Sequence, residues 1–280
     1  MPYLSDVKYS RATTVAAITG YFGFLGKMYL NESDILRPPE GGWPGITHDR
    51  FKDLGKTDEV ISLLRHIPYL RPVDHDFESV DAGPCRVRFF SWLQNAWLLF
   101  DMPGLVPVED LEGAFEDMKI MTEEPDYGFF PPHVVGLIRS KHDAFILDTQ
   151  LGVVYWLNCP GEIRHSPTAG VECILDDAYE YAPEDEADWR SEPAWAITDF
   201  FEVLKNCFRQ LWVIPVSPSI LIDMGTYLDA ENRGVLSLLQ AVYHEHGWPE
   251  IDRYRKEDCL QAVCVLLMER YGQFCQQMGL

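Results

Sequence analysis

The chain has 280 residues, 47% of them hydrophobic, and its 44 acidic against 23 basic side chains give a formal net charge of -21. That apolar content supports a sizeable core and excludes a disordered chain. The charge disfavours nucleic acid and anionic membranes as partners, since affinity for both comes from Lys and Arg.

Residues 5–30 read as a helix capped by Ser5. Its apolar run Val15–Gly26 is too short to span a bilayer. Asp6 occupies the charged region a signal peptide would need, and no small-residue cleavage site follows. Segment 31–56 is loop-rich, with Pro38-Pro39, Gly41-Gly42 and Pro44. Residues 58–66 predict a short amphipathic helix with Val60, Ile61, Leu63 and Leu64 on its apolar face and Pro68 as its stop.

The middle of the chain reads as β structure. Arg86–Phe90 alternates, Trp97–Phe100 and Val134–Ile138 are short apolar runs, and the acidic stretch 109–126 between them suits a short helix and a loop. Ala144–Leu147 and Val153–Leu157 flank Thr149-Gln150-Leu151-Gly152, a hairpin in which glycine supplies positive φ. A second acidic stretch, 176–192, leads to Ser191-Glu192-Pro193, a helix start. Helices are then expected at 193–212, about 229–246 and about 257–277. No repeat of fixed period is present. The pattern predicts an α+β fold: an antiparallel sheet with a central hairpin, flanked by N-terminal and C-terminal helices. Residues 1–185 are expected to form the α+β domain, and 186–280 a helical extension packed on it.

Seven cysteines, at 85, 159, 173, 207, 259, 264 and 275, include no C-x-x-C. They form neither a zinc pattern nor a disulfide framework, and they suit a reducing compartment, cytosol or nucleus.

Gly55-Lys56-Thr57 resembles the end of a phosphate-binding loop. The glycine such a loop needs five residues earlier is Arg50 here, and no apolar strand precedes it. The alternative is a helix entry, with Thr57 or Asp58 capping 58–66. His244-Glu245-His246 and Asp74-His75-Asp76 are the densest histidine clusters. Residues two apart do not share a helix face, and there is no H-E-x-x-H, so no metal site is expected. Cys159 with His165 is the nearest approach to a nucleophile and base; no G-x-S-x-G elbow occurs. No catalytic residue and no cofactor is assigned.

The aromatic residues Trp43, Tyr69, Trp92, Tyr155 and Trp156 stand next to turns or on strands, where each either packs in the core or anchors a recognition surface. Tyr155 and Trp156 point to opposite faces of their strand, so at most one is expected in the core on a given face. The candidate binding residues are Trp43, His66, Tyr69, Asp148, Tyr155 and Trp156.

The stretches AAITGYFGFLGKMYL, PPEGGWPGIT and LGKTDEVISLLRHIPYL, with VYHEHGWP and YRKEDCLQAV near the C-terminus, resemble a set of uncharacterised fungal proteins. The hairpin AFILDTQLGVVYWLN is similar to the central hairpin of the SUKH superfamily, which includes fungal cell-wall regulators and bacterial toxin-immunity proteins. The matching positions are Leu147, Asp148, Thr149, Gly152, Val154, Tyr155 and Trp156. The departure is large: the Trp-x-x-Leu-Pro opening of those domains is not present as such, and GGWPGIT is a distant echo of it. The resemblance implies an α+β interaction domain that works by binding protein. Two functions are therefore expected in order: a non-enzymatic interaction or regulatory module whose acidic surface meets a basic protein, or an enzyme or accessory protein of small-molecule metabolism with a pocket near Trp43, Tyr69 and the hairpin.

Overall fold

A computed structural model of the chain describes residues 2–73, 78–102, 107, 110–123, 130–139, 143–165, 171–223 and 234–272. In chain order the principal elements are α1 (Arg11–Met28), α2 (Asp58–His66), α3 (Trp92–Phe100), α4 (Leu111–Thr122), β1 (Val134–Gly136), β2 (Ala144–Asp148), β3 (Val153–Leu157), α5 (Ala178–Tyr181), α6 (Ala187–Arg190), β4 (Ala194–Ala196), α7 (Ile197–Arg209), β5 (Val213–Pro215), β6 (Leu221–Asp223), α8 (Val235–Glu245) and α9 (Lys256–Arg270). The fold is α+β, with helices before and after an antiparallel sheet of strand order β4-β3-β2-β1. Among the described residues no helix is long and apolar enough to cross a membrane.

The chain divides into two compact units, each discontinuous in sequence: Met1–Gly20, Leu36–Leu70 and Phe89–Val203 form one, and Tyr21–Ile35, Arg71–Arg88 and Leu204–Leu280 the other. The first unit is organised by the β2–β3 hairpin, paired Ile146 to Tyr155 and Phe145 to Trp156. Its turn closes with the Gly152 N–H donating to the Asp148 carbonyl at 2.9 Å. Gly152 has φ 75°, and a Cβ there would lie 2.7 Å from the Tyr9 backbone nitrogen. Position 152 therefore requires glycine for both its conformation and its neighbour.

Alternation along the hairpin sends Ala144, Ile146, Val153, Tyr155 and Leu157 to one core cluster, with Phe130, Val134, Trp189 and Ala194. Phe145 and Trp156 take the other face, edge-on at 4.9 Å, and Phe200 of α7 covers Phe145 at 4.9 Å. Tyr155 and Trp156 are consequently both buried. They lie on opposite faces, as expected, one in the core of each; both are buried because both faces of this sheet are covered, which a period of two alone does not reveal.

Three element boundaries also differ from expectation. The first helix starts at Arg11; Leu4–Asp6 is a separate 3-10 turn, and residues 8 and 9 run against Gly152 of the hairpin turn. Trp97–Phe100 belongs to helix α3, which Ser91 caps by accepting the Gln94 N–H at 3.3 Å. Four apolar residues in a row do not distinguish strand from helix. The helix expected from 193 begins at Ile197, because Ala194–Ala196 pairs with Tyr155–Val153 as an edge strand. The two C-terminal helices are present as α8 and α9; the start of the first expectation and the end of the second lie outside the described residues.

The second unit has a tyrosine-rich core. Tyr21 and Tyr29 on α1 donate to the Ala82 and Asp81 carbonyls, each at 2.6 Å, and Tyr243 donates to the Pro215 carbonyl at 2.8 Å. The Trp248 indole donates to the Phe208 carbonyl at 3.0 Å. Lys256 places its ammonium on the Gly26 and Leu30 carbonyls, at 2.9 and 2.6 Å, satisfying groups left over at the end of α1.

Candidate functional site

The hairpin turn ends in a buried polar cluster. Asp148 is fully buried. Its Oδ1 accepts the N–H groups of Gln150 and Leu151, at 2.7 and 2.8 Å, which is what shapes the turn. Its Oδ2 accepts from Arg190 Nη1 at 2.9 Å, and His133 Nε2 stands 3.6 Å away. Thr149 donates to the His133 carbonyl through both its N–H and its hydroxyl, at 3.0 and 2.7 Å. In the Leu-Asp-Thr sequence the Asp148 carboxylate and the Thr149 N–H and hydroxyl are thus all engaged within the turn and its neighbours.

Arg190 is the hub. Its Nε donates to Glu186 at 2.7 Å and its Nη1 to the Tyr155 hydroxyl at 3.1 Å, while the guanidinium lies 4.2 Å over the Trp189 ring. The Tyr155 hydroxyl also meets that of Tyr181, 2.9 Å away. Burial works against the charge on Arg190, but Tyr155, Glu186 and Asp148 outweigh it and raise its pKa. Burial, with Tyr181 adding to it, raises the Tyr155 phenol well above its usual range. Both shifts keep Arg190 charged and Tyr155 neutral, and the two side chains clamp the hairpin turn to α5 and α6.

That clamp orients the acidic stretch. Between Glu172 and Glu192 the chain carries nine carboxylates and a single arginine. The arginine is buried, as are Ala178, Ala187 and Trp189, whereas Asp177, Glu180, Glu184, Asp185 and Asp188 are exposed. Tyr179 is 66% exposed, and its hydroxyl donates to Asp188 at 2.8 Å. Hydrogen bonding to that carboxylate raises its pKa.

Trp43, His66 and Tyr69 are brought together elsewhere in the same unit. Gly41 and Gly42 both have positive φ, 85° and 81°, and turn the chain so that the Trp43 N–H donates to the Arg65 carbonyl at the end of α2, at 2.8 Å. The Trp43 indole donates to the Ile67 carbonyl at 2.8 Å and its ring lies 6.1 Å from that of Tyr69, whose hydroxyl donates to the Leu64 carbonyl at 2.6 Å. His66 Nδ1 donates to the Ser62 carbonyl at 2.6 Å. Trp43 and His66 are half-buried and Tyr69 is buried. The named polar atoms of this trio are directed at main-chain carbonyls, which makes it a latch over the end of α2.

Gly55-Lys56-Thr57 is a helix entry. Thr57 caps α2 by accepting the Val60 N–H at 3.3 Å. Lys56 forms a buried ion pair with Glu123, Nζ to Oε2 2.9 Å, with side-chain exposures of 2% and 3%. Burial lowers the Lys56 pKa and raises that of Glu123, each against the pull of the other. A lysine so committed has no reach toward a phosphate.

The histidines of the His-Glu-His cluster bond main-chain carbonyls, His244 that of Trp248 and His246 that of Val242; His75 lies outside the described residues. Among the described residues no three His, Cys, Asp or Glu side chains are placed to hold a metal ion. Cys159 is half-buried after β3, and His165 is exposed beyond the turn 161–164. Sequence reasoning missed Arg190, His133 and Glu123. For Arg190 the signal was present: one base in a run of acids. The other two come from distant segments and left none.

Comparison with protein-family models, curated proteins and solved structures yields no match to this chain.

Proposed function

We propose that the protein is a non-enzymatic interaction or regulatory module whose acidic surface receives a basic protein partner. The observation that carries this is the segregation of charge along 172–192. The one arginine faces inward and is neutralised by Asp148 and Glu186, while five carboxylates between Asp177 and Asp188 stand exposed on a backbone fixed by that same contact. A face of one sign, held in place, steers and orients a partner of the other sign. The likeness of the hairpin to SUKH domains, which act by binding protein, points the same way. The candidate residues Tyr155 and Asp148 then act from beneath, as supports of the face, and the compartment is cytosolic or nuclear.

The test is capture on the immobilised protein at low and high salt. Basic proteins are expected to be retained at ~50 mM salt and released by ~0.5 M, where the Debye length falls to a few ångströms. A Glu184→Gln, Asp185→Asn, Asp188→Asn triple variant should retain less. Absence of salt-sensitive retention by the wild type would remove the proposal's basis.

A further inference from the structure

Ten large apolar side chains are exposed among the described residues, and Tyr3, Leu175, Tyr179 and Tyr181 are four of them, with Tyr3 51% and Leu175 42% exposed. The last three lie within seven residues of one another in the chain. Tyr3 is drawn to them by two bonds: the Leu175 N–H donates to the Pro2 carbonyl at 3.2 Å, and the Leu4 N–H to Asp176 Oδ2 at 2.7 Å. The patch is backed by the core, since Leu4, Val7 and Ile174 pack against the hairpin cluster. Clustered exposed aromatics with a polar rim mark interaction surfaces rather than chance exposure. Here the surroundings are acidic: Asp177, Glu180 and Asp188 are exposed, with Asp188 accepting the Tyr179 hydroxyl and Asp177 its main-chain N–H.

We infer that this patch is the docking surface for an arginine-rich segment of a protein partner; the inference rests on the interaction module proposed above and names the part of its surface that does the recognising. The reason is charge complementarity combined with ring faces. A guanidinium stacks on a tyrosine face while its N–H fork reaches a carboxylate at the ring's edge. Tyr179 offers both, because its hydroxyl is already tied to Asp188 and the ring is held beside that carboxylate. A second copy of this chain would set like carboxylates against each other. An anionic lipid surface would be repelled for the same reason.

The experiment is fluorescence anisotropy with a short fluorescein-labelled peptide of alternating arginine and serine, and with its lysine and glutamate counterparts. The proteins compared are the wild type, Leu175→Ser with Tyr179→Ala, and Val265→Ser, which alters an exposed apolar residue on α9. All substituted side chains are exposed, so circular dichroism and melting should be unchanged. The wild type is expected to bind the arginine peptide best and the glutamate peptide not at all. The patch variant should lose ~30-fold in affinity, as removal of a hot-spot aromatic does, and Val265→Ser less than ~2-fold.

Equal affinity of the patch variant and the wild type would overturn the docking surface while leaving the acidic-surface module standing, since that is judged by salt-dependent capture. Absence of binding by the wild type would overturn the choice of an arginine-rich occupant. Self-association of the wild type that the patch variant abolishes would reassign the patch to a second copy and overturn the inference equally.

Discussion

At the scale of single residues, Asp148 and Arg190 carry more of the structure than their number suggests. Asp148 serves two turn N–H groups on one oxygen and Arg190 on the other, and Arg190 in turn joins Glu186 and Tyr155. A buried ion pair adds little net stability over an apolar pair of the same shape, but removing one member strands the other charge. Arg190→Met is therefore expected to destabilise by ~3–5 kcal/mol, the cost of an uncompensated buried carboxylate. Asp148→Asn should cost less, since the amide oxygen still accepts the Gln150 and Leu151 N–H groups. Urea unfolding of the two variants checks the order; a loss under ~1 kcal/mol for Arg190→Met would show that water reaches Asp148 and that the clamp is looser than its distances imply.

At the scale of elements, legibility in the sequence follows how local the deciding interaction is. Helix 58–66 was readable to its ends because its apolar spacing is internal and its cap, Thr57, and its stop, Pro68, lie within two residues of it. The hairpin was readable because glycine sits at the turn and the strands alternate. Ala194–Ala196 was not, because its strand conformation comes from pairing with Val153–Tyr155, some forty residues earlier in the chain. The Gly-Gly-Trp-Pro turn was visible as a turn, yet what it latches, the Arg65 and Ile67 carbonyls, was not. Lys56 shows the limit most clearly, since its partner Glu123 follows α4. This pair predicts a specific asymmetry. Lys56→Met alone should cost ~3–5 kcal/mol, because Glu123 is left buried without its cation, whereas Lys56→Met with Glu123→Leu should recover most of that loss. Denaturant midpoints of the single and double variants decide it; a double variant no better than the single would mean that the pair fixes the geometry of the 55–57 turn rather than merely balancing two charges.

At the scale of the whole molecule, a formal charge of -21 acts on folding and on association in opposite senses. Self-repulsion among carboxylates opposes the compact state, and the named internal ion pairs relieve it only locally. The run from Asp177 to Asp188 concentrates exposed carboxylates that no exposed arginine within 172–192 offsets. Sodium chloride shortens the Debye length from about 30 Å at 0.01 M to about 10 Å at 0.1 M, so it weakens this repulsion and any attraction to a basic partner together. Thermal stability is therefore expected to rise across that range, by about 2–4 °C if screening is worth about 1 kcal/mol in a chain of this size, while affinity for a basic peptide falls. The pair of measurements is more discriminating than either alone. A melting temperature that rises while peptide affinity stays flat would mean that binding is carried by ring contacts and short-range bonds at Tyr179, with the acidic field serving solubility. A melting temperature that falls would mean that attractive surface pairs such as Arg50 with Asp101 outweigh the excess of like charge, and the acidic face could then no longer be described as an unbalanced field.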